Sequence, residues 1–189
     1  QALKYAPFPV VGAPSGMALG GGCEVLLHCD AVQAHSETYI GLVEVGVGIV
    51  PSWGGTKELI LRNTARPNRP GGPMPPLMRT FETIGLAKVA TSAAEARDLG
   101  FLGPGDGITM NRTRVLADAK AKALKLVRRY RPPARPTISL PGATARVALQ
   151  MGVDSLHLSG KATAHDKVVG YALAEIVSGG ETDITRELT

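Results

Sequence analysis

Three consecutive glycines, Gly20, Gly21 and Gly22, with a fourth at Gly16, stand where a strand-like segment gives way to residues at helical spacing. No other stretch restricts the fold as much, because glycine takes up backbone angles closed to other residues and lets another group approach the main chain. Val25, Leu26 and Cys29 recur with the period of a helix, so residues 20–30 are read as a helix opened by glycines. Around it, residues 8–51 alternate short β-branched runs with glycines, as in residues 31–35 and 39–50. That pattern predicts short strands joined by tight turns, with Glu44 inside the strand-like run and a second helix from near Trp53 through Leu61.

Further along, residues 63–76 hold Pro67, Pro70, Pro73, Pro75 and Pro76 with Gly71 and Gly72, a composition that predicts a loop. Residues 81–87 read as helical, and Ser92 with Glu95 fits a capping box opening a short helix that Gly100 ends. Leu116, Ala119, Ala123, Val127 and Tyr130 step by three or four and predict the buried stripe of a basic helix. Two more helices are expected at 143–158 and 164–178, stopped by Gly179 and Gly180. The expected class is α/β, with a core over 1–103 and a helical C-terminal extension over 104–189.

The two cysteines, Cys23 and Cys29, match neither a disulfide framework nor a zinc spacing. No apolar run reaches the roughly 18 to 20 residues of a membrane span, so a soluble, cytoplasmic chain is expected. It begins with Gln1, which reads as the end of a helix and predicts a piece of a longer protein. The net charge of +5 is local: residues 1–60 carry two lysines against five acids, whereas residues 112–135 carry nine Lys and Arg against Asp118 alone. Tyr130 is the single aromatic in that segment, too few to interleave with the cations, which argues against nucleic acid.

The glycines invite a ligand, and spacing narrows which. A phosphate loop needs Gly-Lys-Ser/Thr, but Gly22 is followed by Cys23 and Glu24; the dinucleotide fingerprint begun by Gly46 and Gly48 meets Pro51. Ser15 and Ser52 lack the glycine two residues earlier that a nucleophile elbow requires. There remain two acids, Glu24 in the first helical turn and Glu44 twenty residues on. A strand, helix and strand can fold back in that span, and paired carboxylates suit adding water across a double bond. Spacing alone leaves open the alternative of a first-turn acid and a surface acid. His28, His157 and His165 read as packing or surface groups, and no metal site is expected.

The motif Gly16-Met-Ala-Leu-Gly-Gly-Gly-Cys-Glu-Val-Leu-Leu-His-Cys-Asp30, followed by Tyr39-Ile-Gly-Leu-Val-Glu44 and Pro51-Ser-Trp-Gly-Gly-Thr56, closely resembles the crotonase, or enoyl-CoA hydratase/isomerase, superfamily. The likeness is strong over 8–61, extends through 81–102 and is loose beyond 103. In wording the segment is most similar to the hydratase module of large bacterial 3-hydroxyacyl-CoA dehydrogenases.

The resemblance implies a crotonase-like spiral of strand-strand-helix repeats, present in part. It implies catalytic roles for Glu24 and Glu44, an oxyanion-hole amide from Gly21, and substrate contacts at Gly20, Ser52 and Trp53. Family hydratases carry both acids and isomerases keep the second, so the pair points to hydration of 2-trans-enoyl-CoA in fatty-acid β-oxidation. Where Ser52 stands the family usually has glycine. Coenzyme A would enter as part of the acyl-CoA substrate, and NAD only through a dehydrogenase module of the same polypeptide; the segment itself needs no cofactor. A homo-trimer is the family's common assembly. Isomerase or thioester hydrolase activity, or a non-catalytic interaction fragment, are the alternatives.

Overall fold

The structure, a computed structural model, describes residues 1–66 and 70–188. In chain order the elements are β1 (Val11–Gly12), β2 (Met17–Leu19), α1 (Gly21–Leu27), β3 (Ala31–His35), β4 (Tyr39–Gly41) and a 3-10 turn (Glu44–Val47). These lead to α2 (Gly55–Thr64), α3 (Met74–Gly85), β5 (Val89–Ala90), α4 (Ala93–Leu99), β6 (Gly107–Thr109) and a second 3-10 turn (Arg112–Arg114). Helix α5 (Val115–Val127), β7 (Ile138–Ser139), α6 (Ala143–Leu158), α7 (Ala164–Ser178) and β8 (Glu187–Leu188) complete the chain. None of the helices is long and apolar enough to cross a membrane among the described residues.

Two compact units interleave along the sequence, one from 1–42 with 89–134 and the other from 43–88 with 135–189. The division therefore does not follow the expected boundary at 103. In the first unit β3 lies between β1 and β6, all parallel, while β4 pairs in parallel with β2 and antiparallel with β5. Val32, Ala34, Ile40 and Leu42 are fully buried in this unit, and a fully buried aliphatic side chain contributes about 1.5–3 kcal/mol. An added Cβ at position 12 would fall 2.7 Å from the Leu26 Cδ2 methyl, so that side chain would have to shift to admit it.

Helix α5 corrects one expectation. Val115 and Ala119 face inward, with Lys122 and Leu126 half-buried, whereas Leu116 is 76% exposed. The stripe is thus rotated from the one predicted, because Lys122 lays its stem along the core and donates to the carbonyls of Val32 at 3.3 Å and Gly105 at 2.7 Å. Tyr130 points inward as expected, its hydroxyl donating to Asp30 at 3.0 Å.

In the second unit α3 starts at Met74, earlier than expected, with Pro75 and Pro76 in its first turn. Prolines fit there because those amides have no intrahelical acceptor. Of the segment 63–76 assigned to a loop, Asn63 and Thr64 belong to α2 and 74–76 to α3, while Pro67 lies outside the described residues. Helices α6 and α7 form a hairpin with the bounds the periodicity predicts. They approach closely at Gly170, where a Cβ would lie 2.9 Å from Val153. Thr163 and Asp166 make a reciprocal capping box at the start of α7, and Gly179 closes it in the left-handed conformation.

Backbone and hydroxyl donation from Thr163 holds the Asp166 carboxyl below its usual 3.8, and the Lys167 ammonium with the Tyr171 hydroxyl does the same for Asp154. A depressed carboxylate stabilises the fold fully above its unfolded value and loses that contribution as pH falls through the lowered one. The melting temperature should therefore fall progressively as pH drops below 3.8, and Asp166→Ala should lower it at neutral pH while making the acid-side slope shallower. Thermal scans across that range are the measurement.

Candidate active site

In the first unit β2 runs into Gly20, whose φ of 54° and ψ of −124° place it where side chains are disfavoured. The Gly20 amide donates to the Gly41 carbonyl at 2.9 Å, tying the turn to β4, and the Gly20 carbonyl accepts the Glu24 amide at 3.0 Å. Helix α1 therefore begins at the end of β2, with the Gly21 amide in its first turn, where no intrahelical acceptor exists. Glu24 is only 3% exposed, and an acid one turn into a helix is favoured by the dipole. His28 is also buried, with Nδ1 2.7 Å from the Glu24 carbonyl oxygen. A carbonyl can only accept, so Nδ1 carries the proton, in keeping with a packing histidine. Cys23 is fully buried and Cys29 half-buried, and neither forms a disulfide.

Glu44 stands at the head of a 3-10 turn in the second unit, not within a strand. The strand ends at Gly41, and the apolar run after it coils because Gly48, at a φ of 82°, closes a turn whose amides return to the carbonyls of Glu44 and Val45. Glu44 is half-buried, and its carbonyl accepts the Ile49 amide at 3.1 Å. His165 is exposed, as read from the sequence, and donates from Nε2 to the Gly48 carbonyl at 2.9 Å. It pins the turn that carries Glu44 to the start of α7. A Cβ on Gly48 would lie 2.9 Å from that nitrogen.

Ser52 is exposed ahead of α2, and Trp53 is 73% exposed. Sequence reasoning missed Glu58, an acid as buried as Glu24. The signal was available: Gly54 at a φ of 101° caps α2 and accepts the Glu58 amide at 3.0 Å, the arrangement of Gly20 and Glu24 repeated. Glu58 holds an adjacent ammonium, Lys57 Nζ at 2.8 Å, which compensates its charge. Among the described residues no three His, Cys, Asp or Glu side chains gather as metal ligands.

This glycine-led turn and its acids fall inside a segment, residues 1–65, that matches the enoyl-CoA hydratase/isomerase family. Over 187 residues it is 42% identical to the probable 3-hydroxyacyl-CoA dehydrogenase of Bacillus subtilis (strain 168), covering 98% of this chain and 23% of that protein. Over 57 residues it is 51% identical to a short-chain-enoyl-CoA hydratase of Clostridium acetobutylicum, covering 30% of this chain and 22% of the relative. An enoyl-CoA hydratase structure from Bacillus anthracis superposes with a TM-score of 0.53 at 23% identity, covering 93% of this chain and 55% of that one. The fold is therefore crotonase-like with C-terminal helices. The chain spans under a quarter of the length of these curated relatives.

Gly48→Ala should cost about 1–3 kcal/mol from the disfavoured φ, with the contact to His165 adding to it. His165→Ala should loosen the same turn and lower the melting temperature by a smaller amount. Denaturant titration of both variants is the measurement.

Proposed function

We propose that the chain carries the hydratase site of a β-oxidation enzyme, which adds water to a 2-trans-enoyl-CoA to give the 3-hydroxyacyl-CoA. The observation that supports the reading is that residues 1–65, which include both Glu24 and Glu44, match the enoyl-CoA hydratase/isomerase family; the catalytic roles of the two acids are part of the proposal. An enzyme that only moves a double bond has use for one such group.

In this reading the two carboxylates share the proton work. One accepts a proton from water as its oxygen bonds to C3, and the other manages the proton that C2 gains. The Gly21 amide donates to the thioester oxygen as negative charge develops there, and a preorganised donor of this kind typically contributes about 10² to 10³ in rate. Ser52 and Trp53 are exposed and available to the substrate, and Gly20, by aiming the Gly21 amide, lets the thioester approach the backbone. The B. subtilis relative's name supports a dehydrogenase module on the same polypeptide, which would use NAD to oxidise the hydroxyl group formed here.

In the full-length protein that carries this chain, Glu24→Gln and Glu44→Gln should each lower crotonyl-CoA hydration by about 10² to 10⁴ while substrate binding changes little. Near wild-type hydration in Glu24→Gln alone would remove Glu24 from the mechanism and overturn the two-carboxylate reading. Near wild-type turnover in both variants would remove these acids from the mechanism. Loss of absorbance of the conjugated thioester is the readout.

A further inference from the structure

The excess charge of the chain collects in one place in the first unit. At the C-terminal end of α5 an open cleft of about 1150 Å³ is lined by Lys125, Arg128, Arg129 and Arg131, with Lys122, Tyr130 and Gln33. The proposed hydration makes no use of it. Four of these cations are exposed, and their side chains form no hydrogen bond or ion pair among the described residues. Lys122 differs, since the carbonyls of Val32 and Gly105 hold its ammonium.

The acids beside the cleft accept hydrogen bonds from backbone amides and from Tyr130. Asp30 accepts the Tyr130 hydroxyl at 3.0 Å and the Val10 amide at 2.7 Å. Asp106, next to Gly105, accepts the Val32 amide at 2.7 Å and the Gly103 amide at 2.7 Å. Four like charges on one concave wall repel one another, and a helix C-terminus relieves that by only about 0.3–1 kcal/mol per cation. A concavity also focuses the potential of its lining. Three of the four are arginines, whose planar forks match phosphate oxygens two at a time.

We infer that this cleft is a binding site for a small ligand bearing a pyrophosphate or several phosphate groups, held by Lys125, Arg128, Arg129 and Arg131. The pinned Lys122 and Tyr130 fix the wall that carries them. Two sources offer that chemistry: the phosphorylated nucleotide end of the acyl-CoA, or a free phosphate-bearing metabolite. Binding itself does not rest on the hydratase reading; only the first source does.

The test titrates inorganic pyrophosphate into the full-length protein by calorimetry at low salt. Saturable binding is expected, weakening as salt is added. It should weaken by about tenfold or more in Arg128→Gln/Arg129→Gln/Arg131→Gln, since one charge-assisted hydrogen bond is already worth that much. A control of equal charge change outside the cleft, Lys88→Gln/Arg112→Gln/Lys120→Gln, should retain wild-type affinity. No saturable binding, or equal weakening in both variants, would overturn the proposal, and Arg128→Gln alone serves if the triple variant misfolds. A second arm separates the sources: competition between pyrophosphate and crotonyl-CoA, with a raised KM in the cleft variant, assigns the substrate's nucleotide end. Pyrophosphate binding with an unchanged KM assigns a free ligand. Because the first arm needs no turnover, loss of hydration with binding intact would count against the hydratase reading alone.

Discussion

The hydrogen bonds of one glycine turn govern what the first unit can do. Gly20 donates to Gly41 and receives Glu24, so a single residue fixes the end of β2, its tie to β4 and the start of α1. At a φ of 54° the turn is open to glycine and strained for anything with a Cβ. Its consequences are chemical. The first-turn amides are left without helical acceptors, and a carboxylate is buried one turn away. Gly54 repeats the device in the second unit, where a lysine neutralises the buried acid. One local geometry thus buries two acids, Glu58, paired with Lys57, and Glu24, the proposed reacting acid.

Glu44 depends on a different restraint. Its turn is short, and a 3-10 turn has poorer hydrogen-bond geometry than an α-helix. Closure by Gly48 and the bond from His165 supply what the turn lacks. The capping box and depressed carboxylate of Asp166 stabilise the helix end from which His165 reaches out. The helical hairpin therefore supports an acid more than a hundred residues away in sequence, and does so within its own unit.

Much of this was legible in the sequence, for identifiable reasons. The bounds of α6 and α7 follow from period, caps and glycine stops that all agree. Ser92 also accepts the Glu95 amide as predicted, although the Glu95 carboxylate turns to Thr91 rather than completing the box. The stripe of α5 was misjudged because a lysine occupies an inward position, its charge answered by two backbone carbonyls that no local pattern announces. The start of α3 was hidden because proline forbids a helix interior yet suits a first turn. The run through Glu44 resembled a strand because short apolar segments do not distinguish strand from turn. The motif positions of Glu24 and Glu44 were readable; the burial of Glu58 and the reach of His165 needed tertiary structure.

The central claim is that this site adds water rather than moving a double bond or cleaving the thioester. It is tested most directly by incubating crotonyl-CoA with the full-length protein in deuterated water and following the product by nuclear magnetic resonance. Hydration predicts a 3-hydroxybutyryl-CoA carrying one deuterium at C2, formed with the thioester intact and lost in the variants of either acid. A product that gains no hydroxyl at C3, whether a shifted alkene or free crotonate, would contradict the account.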